Sequence, residues 1–246
     1  MDNISIRRKF SLKIQTTLNT RFWLLLLFFC IISIQKTAAQ SDYRIGLLPA
    51  ININKPIGNG WAINFKYELR QFVAEGDYSA SPESAFEYDL SDFIFIASKK
   101  VGLNNTLAGG YLFRLRGSTV IHRAIQQFTI VNKFNAFRFA HRISTDQTFE
   151  PDNPAEYRLR YRLTAELPLN GESVDPGEWY FKISNEYLNS LQNNDYDLEI
   201  RLIPLLGYQF TDNNKLELGP DYRINSFLES SPRSVYWLSV NWFVKL

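Results

Sequence analysis

The stretch SVYWLSVNWFVKL, residues 234–246, reads as a strand with two chemically different faces. Side chains along a strand point alternately to opposite sides, so Tyr236, Leu238, Val240, Trp242, Val244 and Leu246 share one face. Ser239, Asn241 and Lys245 share the other, with Trp237 and Phe243 among them. A two-faced, aromatic-rich strand in this position is what the closing strand of a membrane β-barrel would look like. The other segments test that reading.

The same period-two pattern runs through most of the chain, and period two marks half-buried strands. Trp61, Ile63, Phe65, Tyr67 and Leu69 alternate with Ala62, Asn64, Lys66, Glu68 and Arg70. Tyr157, Leu159, Tyr161, Leu163, Ala165 and Leu167 alternate with Arg158, Arg160, Arg162, Thr164 and Glu166. A third clear copy spans 216–225, and less regular ones lie near 42–54, 85–99, 106–116, 119–134, 136–148, 178–189 and 197–210. Many exceed ten residues, whereas soluble strands most often have ~5–6 and a tilted membrane-spanning strand needs ~9–11. The fold expected is all-β, an antiparallel transmembrane β-barrel of about 10–12 strands. Eleven segments are legible, and even strand numbers are the rule for bacterial single-chain barrels, so ten and twelve are both expected alternatives. Short turns at 55–60, 102–105, 135 and 211–214 and longer polar loops at 73–84, 149–155, 190–196 and 226–233 would put short and long connections on opposite sides. Trp61, Trp179, Tyr187, Tyr208 and Trp242 sit near expected strand ends, where an aromatic girdle meets the membrane interface.

Residues 1–39 have the form of a cleaved secretory signal. Arg7, Arg8, Lys9, Lys13 and Arg21 precede an apolar run, Phe22 to Ile34, and Thr37, Ala38 and Ala39 supply small residues before Gln40. The run is thirteen residues, short of the ~20 a membrane-spanning helix needs. Phe28 and Phe29 before Cys30 do not suit a lipoprotein signal. Residues 40–246 are then a single outer-membrane barrel domain. The leader holds six basic residues and one acid, so the whole-chain net charge of +2 becomes −3 for the remainder. The excess of base lies in the leader, and no nucleic-acid partner is expected. Cys30 is the only cysteine, which leaves the barrel no disulfide or thiolate metal site.

With the apolar faces towards lipid, the opposite faces line a lumen. The candidates there are Glu68 and Arg70; Arg114 and Arg116; Arg123; Arg138 and Arg142; Arg158, Arg160 and Arg162; Glu186; Arg201; Glu217 and Arg223. Arginine stays charged when partly buried and its planar fork pairs with carboxylates. Unpaired charge away from water is costly, so these groups should pair across strands. The ladder reads either as the core of a plugged barrel or as a pathway for anionic or polar solutes.

Catalytic patterns are sparse. His122 and His141 are the only histidines, and the residues two positions beyond them are Ala124 and Ile143. Ser144 lies three beyond His141 and therefore on the opposite face. No compact metal spacing occurs and no cofactor is expected. Gly109-Gly110 lies inside a strand, where it eases packing or a bend.

Several of these segments, in this order, resemble a family of uncharacterised outer-membrane proteins common in Bacteroidetes, domain of unknown function 2490. The resemblance covers roughly 43–246. It rests on Trp61 with Glu68-Leu69-Arg70, Gly110-Tyr111-Leu112-Phe113-Arg114, His122-Arg123 with Gln126-Gln127, and His141-Arg142 followed by Asp146-Gln147. Ser184-Asn185-Glu186, Leu206-Gly207-Tyr208-Gln209-Phe210 and Leu216-Glu217-Leu218-Gly219 complete it. It implies a bacterial outer-membrane barrel and no assigned activity.

The leading expectation is a non-enzymatic outer-membrane barrel that passes or binds a small polar or anionic solute, or has a structural role in the envelope. Its expected partners are outer-membrane lipid, lipopolysaccharide and the barrel-assembly machinery. The alternatives are an outer-membrane enzyme acting on lipid or lipopolysaccharide through His122 or His141, and a soluble periplasmic ligand-binding barrel.

Overall fold

In a computed structural model, residues 42–78, 81–135 and 137–246 are described; the expected signal segment lies outside them. Eleven strands follow in chain order: β1 (Asp42–Gly58), β2 (Trp61–Asp77), β3 (Glu83–Lys100), β4 (Asn105–Arg116), β5 (Thr119–Lys133), β6 (Arg138–Phe149), β7 (Glu156–Pro168), β8 (Glu178–Gln192), β9 (Asp195–Thr211), β10 (Asn214–Asn225) and β11 (Arg233–Lys245). Each neighbours the next, and β1 bonds to β11, so the sheet closes on itself. Closure leaves no edge strand, and every strand is hydrogen-bonded on both sides.

The strand number is odd, neither ten nor twelve. Ten of the contacts are antiparallel, and the seam between β1 and β11 is parallel, in register from Tyr43 opposite Ser234 to Asn54 opposite Lys245. An odd count forces this, because an up-and-down chain then ends running in the direction in which it began. Segment 42–54 is thus a full strand. It starts at the rim opposite the one where Leu246 lies. The two ends are called here the N-terminal rim, where β1 begins, and the C-terminal rim.

The expected division into short and long connections does not hold. At the C-terminal rim they are 59–60, 101–104, 134–137, 169–177 and 212–213; at the N-terminal rim they are 78–82, 117–118, 150–155, 193–194 and 226–232. The longest lies on the side expected to carry short turns. Two stretches that read as loops are largely strand: β2 and β3 extend to Asp77 and from Glu83, and β8 runs straight into β9. Asn193 and Asn194 both adopt positive φ, 51° and 69°. Consecutive left-handed residues make the two-residue hairpin turn whose twist matches that of the strands.

The outward surface is apolar. Ile63, Phe95, Leu107, Leu159, Leu202, Leu218 and Leu238 are all exposed, while Asp92, Asp146, Glu186, Glu217, Arg114, Arg123 and Arg223 are buried. A soluble barrel has the reverse polarity, so the exterior is that of a barrel immersed in hydrocarbon. Trp61, Trp179, Tyr208 and Trp242 stand near the C-terminal rim, with Trp179 and Tyr208 packed 4.8 Å apart. Tyr157, Tyr187, Tyr222 and Tyr236 lie towards the other end, Tyr222 stacked on Tyr236 at 4.8 Å. Tyr187 belongs to this second group, five residues from the end of β8.

Candidate functional site

The inward faces enclose a cavity of about 1100 Å³ that reaches Asp89, Glu150 and Asp197 near one rim and Arg138, Lys215 and Phe243 near the other. Eight-stranded barrels are filled by their own side chains and 16–18-stranded ones hold an aqueous channel; eleven strands leave a partly filled lumen. Thirteen of the fourteen lumen candidates line this cavity. The fourteenth, Glu186, is 1 % exposed and lies behind the arginines that bind it.

The charged groups form local clusters. Asp146 on β6, fully buried, is held by Arg158 Nε at 2.5 Å and by Arg123 Nε at 3.5 Å. Arg160 Nε stands 3.1 Å from the other Asp146 oxygen, close enough for an ion pair but out of line for a hydrogen bond. Glu186 on β8 is shared by Arg162 at 2.5 Å, Arg201 at 3.5 Å and Arg160 at 3.8 Å, and Arg201 also holds Glu199 at 2.5 Å. Arg114 donates through Nε and Nη2 to the two oxygens of Asp92, each at 2.7 Å. Arg223 grips Asp221 in the same two-pronged way. Lys66 and Arg70 both hold Glu68 from within its own strand, and Arg138 holds Glu166 at 2.7 Å. Arg116, near the N-terminal rim, is half exposed with Asp89 3.8 Å away.

Towards the C-terminal rim, Glu217 is 1 % exposed and receives the Tyr180 hydroxyl at 2.8 Å and the Lys182 ammonium, with Lys215 at 3.6 Å. Tyr180 can reach it because its ring lies over Gly207, where an added Cβ would fall 2.1 Å from the ring. Tyr180→Phe therefore removes one charge-assisted hydrogen bond from a buried carboxylate. A loss of about 1.5–3 kcal/mol is expected from the unfolding midpoint in detergent, with the cavity otherwise intact.

Asp92, Asp146 and Tyr180 were not singled out as lumen groups by sequence, although Asp92 and Tyr180 sit on the polar parity of strands whose alternation is otherwise readable. Trp237 also points inward, between the guanidinium groups of Arg70 and Arg223 at 6.0 and 5.9 Å.

The six barrel-closing residues Tyr236, Leu238, Val240, Trp242, Val244 and Leu246 occupy the parity facing away from the cavity, and Val235, Trp237, Ser239, Asn241 and Phe243 line it. His122 and His141 both lie on the outer wall. His122 Nδ1 pairs with the Tyr111 hydroxyl at 2.5 Å and His141 Nδ1 with that of Tyr161 at 2.9 Å. Ser144 is buried on the opposite face from His141, so it cannot act with that histidine. Among the described residues no group of three or more His, Cys, Asp or Glu is placed to hold a metal ion.

Apolar outside and ionic inside, closed by eleven strands, the molecule has the build of a transmembrane β-barrel. The chain belongs to the family described as protein of unknown function, DUF2490, whose family model matches residues 45–230. No curated protein matches it. Among solved structures it is similar to the siderophore receptor PirA from Pseudomonas aeruginosa, with 13% identity and a TM-score of 0.32. That match covers 70% of this chain and 33% of the receptor, so the chain spans about a third of the receptor's length.

Proposed function

We propose that this protein is a bacterial outer-membrane barrel whose lumen admits and binds small anionic solutes. Lipid and lipopolysaccharide surround its apolar wall, and the barrel-assembly machinery inserts it. The apolar exterior and the two aromatic groups support the membrane setting.

The observation that carries the solute reading is the excess of arginine on one wall. Strands β5 to β7 direct Arg123, Arg138, Arg142, Arg158, Arg160 and Arg162 inward against Asp146, Glu156 and Glu166, with Glu186 of β8 shared by Arg160 and Arg162. Positive groups facing a confined water-filled space raise the local concentration of anions. A purely structural core would pair its charges evenly, because each uncompensated cation costs stability.

The test is the reversal potential of the purified barrel in planar bilayers under a potassium chloride gradient. A chloride preference of several-fold is expected, and it should fall when Arg158, Arg160 and Arg162 are replaced together by Gln. Barrels that never conduct, or that prefer potassium, would leave the structural role in its place.

A further inference from the structure

Arg142 and Arg162 are direct cross-strand partners on β6 and β7, both facing the cavity. Like charges placed directly opposite repel. The usual remedy, a carboxylate between them, is missing on one side. Arg162 uses Nη2 to hold Glu186, and that carboxylate is already shared with Arg160 and Arg201. No carboxylate lies within ion-pair distance of Arg142 among the described residues. Beside it, the buried Nε of Arg162 donates no hydrogen bond, and further along β7 neither do Nε of Arg160 and Nη2 of Arg158. Thr129 lies opposite Arg142 on β5 and also lines the cavity, which adds a neutral hydroxyl donor.

We infer that Arg142 and Arg162 form a discrete site for a compact oxyanion, of the phosphate or sulfate type, bridging the two guanidinium groups. Two guanidinium forks offer paired N–H donors in the geometry that tetrahedral oxyanions accept bidentately. One dianion would offset both the repulsion between the pair and the missing carboxylate of Arg142. Chloride, a single acceptor atom, cannot offer each fork the pair of oxygens that bidentate binding uses. The site deepens the proposed function, since it gives the anion-rich wall a specific resting place.

Inorganic phosphate is the probe, on the full barrel in detergent and in bilayers, with sulfate as second oxyanion and chloride at equal ionic strength as control. Millimolar phosphate should raise the melting midpoint of the wild type and reduce its chloride conductance, with sulfate similar. Arg142→Gln should fold at least as well without phosphate, since it removes an uncompensated cation, and should weaken the phosphate effect at least tenfold. Arg142→Lys, which keeps the charge and loses the fork, should fall between. Phosphate acting equally on wild type and Arg142→Gln, or no better than chloride, would overturn the site. A chloride-selective barrel blind to phosphate loses only this site, while phosphate stabilisation in a barrel without anion preference loses only the pathway. Should Arg142→Gln fail to fold, a wild type not stabilised by phosphate would still refute the inference.

Discussion

Replacing Glu186 by Gln is expected to cost the barrel about 3–5 kcal/mol, the range for removing one partner from a buried ionic cluster. The side chain is 1 % exposed and its two oxygens face Arg160, Arg162 and Arg201. Gln has nearly the same shape and can still accept a hydrogen bond, so packing is preserved and the loss is electrostatic. Without the negative charge, Arg162 faces Arg142 on β6 with no carboxylate on its β8 side to offset the repulsion. Glu75→Gln is the control. Glu75 pairs with Arg44 at 2.9 Å, but both side chains are more than 40 % exposed, at 44% and 46%, and such pairs contribute about 0–1 kcal/mol. The measurement is the temperature at which the fast-migrating folded band on a gel is lost, or the urea midpoint in micelles. Equal shifts in the two variants would mean that water reaches Glu186 and that the cluster is not an ionic core.

How much of this was readable in the residues depends on what each face of a strand touches. In β7 the outward Tyr157, Leu159, Tyr161 and Leu163 and the inward arginines meet hydrocarbon and lumen respectively, so alternation is complete and Arg158, Arg160 and Arg162 were legible. In β6 it fails. Thr145 and Gln147 point outward and bond with Gln126 of β5 on the outer wall, while Ser144, Asp146 and Thr148 point inward. With polar residues on both faces there is no period to read, and Asp146, the most buried acid, was missed. Near the N-terminal rim the β2–β3 pairing shifts register between Arg70 and Gln71 and again between Phe72 and Ala74, which breaks the alternation and made those strand ends look like loop. The parallel seam left no local trace, since it follows from the parity of the strand count and joins residues near opposite ends of the chain. Signals that depend on one residue's neighbours two positions away survive in sequence; those that depend on closure do not.

That seam has a weak point of its own, and Gly46→Val should abolish closure or cost roughly 3 kcal/mol, the upper end for overpacking. Gly46 lies opposite Trp237 across β1 and β11. A Cβ built on it would stand 2.3 Å from Cζ3 of Trp237 and 2.6 Å from the carbonyl oxygen of Gln71. The indole cannot simply turn away. It is 3 % exposed, packs with Phe72 at 4.7 Å between ring centres, and shares a buried cluster with Leu48 and Val235. The carbonyl belongs to the β1–β2 ladder, which shifts register between Ile45 and Gly46, so relief there would mean giving up backbone bonds. Since β1 has to find β11 last in sequence terms, a side chain at Gly46 acts where the barrel closes. Gly109→Val is the comparison, because a Cβ at Gly109 meets nothing within 4 Å, and it should change stability by no more than about 0.5 kcal/mol. Trp237→Ala alone costs about 3–5 kcal/mol as a large-to-small core change, but combined with Gly46→Val it opens space for the valine, so the double variant should lose less than the two single losses added together. Such a rescue is a coupling between two contacting residues. If the double variant is no better folded than the sum of the two single losses predicts, the clash at the seam is not what limits closure, and the carbonyl of Gln71 becomes the obstacle to test.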